Sequence, residues 1–146
     1  TTERTENCLK FSTNANDCIG SAAGFCSELP WASGYENMMK CVDLERGYWQ
    51  EKTATVLDIL LQNAAIADAE LSNHPNFESG VTGLMQMHKG FERFRDSSCF
   101  KQTAFFAKSR GPSVEQSEID VVTSNCLMHM DGDQAIYLQW VLDQGQ

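Results

Sequence analysis

ENMMKCVDLERGYWQEKTATVLDILLQ, residues 36–62, decides the fold. Met38, Val42, Trp49, Thr53, Val56 and Leu60 follow a three-to-four-residue period, with Met39, Tyr48, Leu57 and Leu61 beside them. That period places them on one stripe of an amphipathic helix rather than one face of a strand. The pattern runs on through AAIADAEL to Leu71, and SNHPNFES then supplies turn residues, with Pro75 disfavouring helix at His74.

A second stripe follows: Leu84, Met87 or His88, Phe91, Phe94, Ser98 and Phe105, expected to face the core. It ends near KSRGPS, where Gly111 and Pro112 break the pattern. Ser113 is the expected N-cap of a last helix, with Gln116 completing a capping box. The stripe of that helix is read as Ile119, Val122, Cys126, Met130, Ile136 or Tyr137, and Trp140 or Val141, with Gly132 a weak point inside it. Towards the N-terminus, TERTENCLKF suggests one or two helical turns. NDCIGSAAGFC reads as a short helix capped by Asn16 or Asp17, and ELPWASG as a loop. No alternating strand, repeat or low-complexity segment is found. The expectation is one all-α domain over residues 1–146: a short N-terminal helical extension over 1–30 and an antiparallel bundle of three long helices over 36–143.

Eleven Lys and Arg against twenty Asp and Glu give a net charge of −9. Such a balance disfavours nucleic-acid backbones and anionic membrane surfaces and favours a basic partner. No apolar run approaches the ~18 residues that a membrane span requires, so membrane insertion is not expected. The polar start TTERTENC suits a mature chain whose signal peptide has been removed.

Six cysteines form an even set without CxxC spacing, and the three histidines are far apart, which points to disulfides rather than zinc. Disulfides in turn point to an oxidising compartment: a bacterial periplasm, an extracellular space or a secretory lumen. In an antiparallel hairpin, residues equidistant from the turn lie level. Cys99 and Cys126 are centred between Pro112 and Ser113, Cys26 and Cys41 bracket Ser33, and Cys8 and Cys18 bracket STNAN. Cys8–Cys18, Cys26–Cys41 and Cys99–Cys126 are therefore the geometric favourites. Cys41–Cys99 is the rival; its residues sit about 34 and 24 positions from Pro75, a mismatch of about 15 Å at ~1.5 Å per residue unless the helix breaks near Asn63.

Paired cysteines leave no nucleophilic thiol, and Ser97 and Ser98 lack the turn of a nucleophile elbow. The DGD at 131–133 lacks the remaining ligands of a calcium loop and reads as a helix-surface acid pair. His88 and His129 read as core histidines with hydrogen-bond partners, Trp49 and Trp140 as buried, and Trp31 as an exposed loop residue. No catalytic residue, metal site or cofactor is expected.

Three segments, CVDLERGYW, FERFRDSSC and CLMHMDGDQAIYL, together resemble the LprI-like lysozyme-inhibitor family of bacterial envelope proteins. Glu45 and Trp49 fit its first block after Cys41; Phe91, Phe94, Arg95 and Asp96 fit the second before Cys99; Cys126 and Leu138 fit the third. CIGSAAGFC is similar to the extension of alphaproteobacterial members. The chain departs from the family pattern at QEKTA, residues 50–54, and at DGDQ, where Asp131, Asp133 and Gln134 stand in place of expected residues. The resemblance implies a binding protein, not an enzyme, with a basic lysozyme as partner; the alternative is an envelope adaptor without inhibitory activity. Candidate contacts are Glu115, Glu118 and Asp120 near the last loop, and Glu28 and Trp31 in the early one. Arg95 is expected to pair with an acid such as Glu45.

Overall fold

A computed structural model describes residues 2–145, and its described residues form helices and connecting turns without strands. Helix α1 spans Thr2–Phe11, α2 Ser21–Ser27, α3 Tyr35–Leu71, α4 Gly80–Arg110 and α5 Gln116–Gln144, with a 3-10 turn at Ala15–Cys18. It is a disulfide-stapled bundle of three long helices carrying a short N-terminal extension, as the periodicity predicts.

The first stripe is realised. Cys41, Val42, Glu45, Trp49, Thr53, Val56 and Leu60 are the buried residues of α3. Trp49 and Val42 pack with Met128 and Ala135, and further along Val56 and Leu60 pack with Leu138 and Leu142. Numbers rise together on both sides, so α3 and α5 run parallel and α4 returns between their ends in the opposite sense. The three sequential disulfides form, each with Cα atoms 5.5 Å apart, and the Cys41–Cys99 rival does not. Helix α3 runs unbroken past Asn63, which keeps that rival pair at different heights.

The other stripes match expectation only in part, as at Leu84, Met87 and Phe91 of α4 and Cys126 of α5. In α4, Phe94 and Phe105 are 65% and 75% exposed, not buried. The inward series is Leu84, Met87, Phe91, Arg95 and Cys99, with Arg95 half-buried because an acid of α5 faces it. Keeping Arg95 inward turns its neighbour Phe94 by about 100°, out of the core. In α5 the buried series includes Cys126, as expected, and then Met128, Asp131, Ala135, Leu138 and Leu142, while Trp140 stacks on Tyr137 at the surface. Size alone misleads there, because part of the inward face is small or polar: Asp131, Gly132, Gln134 and Ala135 are buried. Gly132 is one of them: a Cβ at that position would lie 2.8 Å from Ile19 Cγ1, so the glycine is a site of close approach rather than a weak point.

Helix starts differ as well. Asn14, not Asn16 or Asp17, caps the 3-10 turn, and α2 begins only after Gly20, whose φ of 96° is left-handed. The cap of α5 is Glu115, with no side-chain hydrogen bond, instead of Ser113. Ser113 lies inside the turn closed by Val114 N–H on Gly111 O, and Gln116 is already the first residue of the helix, so the capping box does not form.

Candidate protein-binding surface

Two buried carboxylates hold the frame on which any binding surface rests. Glu45 is wholly buried on α3 and gathers the N-terminal extension: Thr5 Oγ1, Gly20 N and Trp49 Nε1 donate to its Oε1 at 3.3, 2.9 and 3.2 Å, and Ala23 N to its Oε2 at 2.8 Å. A buried carboxylate needs this many donors to offset its lost hydration. Asp131 on α5 accepts from Arg46 Nε of α3 at 2.7 Å and Arg95 Nη1 of α4 at 2.8 Å, joining all three long helices. The expected Arg95–Glu45 pair is thus replaced by Arg95–Asp131, and the DGD acids are not a surface pair: Asp131 is 3% exposed. Asp133 alone of the two faces outward, accepting from Asn16 Nδ2 at 2.7 Å. Burial pulls the Arg95 guanidinium towards deprotonation, but its hydrogen bonds to Asp96 and Asp131 outweigh that and hold its pKa above the ordinary arginine value.

A third clasp joins α3 to the start of α4. Asp68 accepts from Gly80 N at 2.8 Å, Val81 N at 3.2 Å and Ser79 Oγ at 2.9 Å. The Gly80 backbone N–H is the largest influence on it, and the carboxyl is held below the usual carboxylate range.

Against this frame, the bundle end where α3 and α5 begin collects much of what the sequence singled out. Glu36, Met39 and Lys40 of α3 face Gln116, Ser117 and Asp120 of α5 across a groove of about 370 Å³. Trp31 is 53% exposed in the turn leading into α3, and Tyr35 is exposed beside Glu36. The Cys26–Cys41 bridge and buried Ala32 fix that turn. Glu28 and Glu115 are exposed, so both are open to a partner. Glu118 is not: Arg110 Nε and Nη2 donate to it at 2.9 and 3.3 Å, and its carboxylate raises the Arg110 pKa above normal. Asp120 is half-buried and accepts from Gln116 Nε2 at 2.9 Å, yet it lines the groove. Glu36 and Tyr35 belong to this end and were not singled out by the sequence. Only the pairing of the α3 and α5 starts brings Glu36 opposite Asp120.

The remaining motif residues are structural or lateral. Trp49 is wholly buried, Phe91 half-buried, and Asp96 exposed while accepting from Arg95 Nε at 2.8 Å. Trp140 and His129 are exposed, contrary to the core positions expected of them. A cleft of about 450 Å³ opens between α3 and α4 over Thr53, His88, Phe91, Arg95 and Asp131. Thr53 Oγ1 and His88 Nδ1 are buried in its wall without hydrogen-bond partners, while His88 Nε2 is 2.8 Å from Glu92. The cleft therefore has donors and acceptors to offer a ligand. Among the described residues every cysteine is bonded, and no cluster of three His, Cys, Asp or Glu is placed to hold a metal. No described helix is long and apolar enough to cross a membrane.

Charge is segregated by helix. Helix α5 carries Glu118, Asp120, Asp131, Asp133 and Asp143 with no lysine or arginine, whereas α4 carries six of the chain's eleven basic residues against Glu92 and Asp96. Around the α3 and α5 starts Glu36, Glu115 and Asp120 outnumber Lys40, whereas α4 is net basic. Comparison with family models, with curated proteins and with solved structures found no match.

Proposed function

We propose that this chain is an extracytoplasmic binding protein that associates with a basic lysozyme-type muramidase through the acidic, aromatic end of its bundle. The observation that carries the reading is the meeting of Glu36 and Asp120 across one groove, at the end of the bundle where the turn bearing exposed Trp31 leads into α3. An exposed aromatic ring and exposed acids at one bundle end suit a basic enzyme cleft: the ring supplies buried area, and the acids supply steering and orientation. The resemblance of the cysteine-bearing segments to the LprI-like family supports the choice of target. Three disulfides support an oxidising compartment.

Titrating muramidase activity with the purified protein at low and moderate salt tests this. Saturable inhibition that weakens with salt is expected, as is a loss of potency in Trp31→Ala. Absence of inhibition at large molar excess overturns the inhibitor reading for that lysozyme class. Binding without inhibition assigns the surface to an envelope adaptor instead.

A further inference from the structure

The outward face of α4 has a chemistry opposite to that of the bundle end. Phe94, Phe100 and Phe105 are 65%, 76% and 75% exposed, and Arg93, Lys101 and Lys108 are exposed among them. Positions 93, 97, 100, 104 and 108 are spaced by three or four and so share one side of the helix, with 94, 101 and 105 alongside. Ser97 and Ala104 complete the face and are small and exposed, so they leave the rings standing proud. No acid interrupts it. The two acids of α4 lie to one side, each engaged: Glu92 with His88 and Asp96 with Arg95, both at 2.8 Å. Between Phe100 and Phe105 the surface dips in a depression of about 200 Å³ bordered by Lys101 and Lys108.

These phenylalanines are not used by the fold, since α4 is held from its other side. Phe94, Phe100 and Phe105 stand six and five positions apart, so they fan over a broad sector of the helix rather than forming one row. Three such exposed rings cost solubility unless something covers them. Cations placed between the rings select an anionic cover. The face runs about 22 Å along the helix and offers a few hundred Å², well short of the ~800 Å² per partner typical of a stable protein complex. Being convex, it would also need a groove in any protein partner. A bilayer has neither requirement: rings enter the acyl boundary while lysines meet phosphates. The net charge of −9 does not forbid this. Packed helices lie about 8–10 Å apart and the screening length at physiological salt is about 8 Å, so acids on the far sides of α3 and α5 are screened from a surface touching α4.

We infer that this face of α4 is a peripheral docking surface for an anionic lipid bilayer, separate from the proposed muramidase-binding end. Co-sedimentation of the intact oxidised protein with phosphatidylglycerol-rich or pure phosphatidylcholine vesicles tests it without any enzyme present. Binding to the anionic vesicles alone is expected, weakening with salt and falling roughly tenfold or more in both Lys101→Glu/Lys108→Glu and Phe100→Ser/Phe105→Ser. These residues are exposed, so unchanged circular dichroism is expected to accompany the loss. No sedimentation with anionic vesicles at low salt, equal sedimentation with both lipids, or wild-type binding by the variants overturns the assignment. A concentration-dependent dimer in lipid-free sedimentation velocity, abolished by Phe100→Ser/Phe105→Ser, also overturns it and gives the face to a second copy of this chain.

Discussion

Helix α4 and the α3/α5 pair are comparable in length and differ in how they are held. Helix α3 buries seven residues and α5 eight, whereas α4 buries Cys99 alone among its described residues. Apolar packing of α4 is concentrated near its start, where Leu84 and Met87 lean on the Leu138 cluster. Elsewhere it is fastened by bonds with direction: Asp68 at its N-terminus, Arg95 to Asp131, Cys99 to Cys126, Thr103 Oγ1 to Thr123 Oγ1 at 2.8 Å, and Arg110 to Glu118. The contrast teaches that a helix can be positioned without burying a full stripe if covalent and polar restraints occur at several heights. It also explains how α4 can present phenylalanines outward, since its position does not depend on them.

Breaking each side of this comparison should give different signatures. Removing the buried ring in Trp49→Ala is expected to cost about 3–5 kcal/mol and to unfold all helices together, read as a lowered urea midpoint at every probe. Asp131→Ala leaves Arg46 and Arg95 without their shared counter-charge and should cost about 3 kcal/mol. Part of that loss should be local, with α4 amides exchanging faster than those of α3. Joint Cys99→Ser/Cys126→Ser replacement is expected to cost about 2–3 kcal/mol while preserving most helical dichroism. Local fraying of α4 on acidification is the smallest effect. The Asp68 pKa is lowered in the folded protein, so the stability it contributes is present above its unfolded value near ~3.9 and is lost as pH falls through the lower folded value. Hydrogen exchange at Gly80 and Val81 should therefore rise below about pH 4, and Asp68→Asn should abolish that pH dependence.

Much of the frame was legible in the sequence because its signals are local. The stripe around Trp49 has helical period, and the cysteines bracket turns symmetrically. The register of α4 was not legible, because Arg95 is inward only when Asp131, 36 positions away, faces it. Glu45 stood out as a motif residue, but three of its four donors, Thr5, Gly20 and Ala23, lie in the N-terminal extension, where no periodicity announces them. Of the candidate contacts, Glu28, Trp31 and Glu115 are exposed as expected. Glu118 is taken by Arg110, a pairing across a turn that fixes itself only once α5 starts at Gln116. Phe94 and Phe105 read as core residues from the sequence because large apolar side chains stand out there and the inward, polar Arg95 does not.

Native-state hydrogen exchange across a range of low denaturant concentrations tests the central contrast most directly. Amides between Cys41 and Leu60 in α3 and between Met128 and Leu142 in α5 are expected to exchange only through global unfolding. Those of α4, away from Cys99, are expected to exchange through a smaller opening at distinctly lower free energy. Exchange of all three long helices at one common free energy would contradict the account.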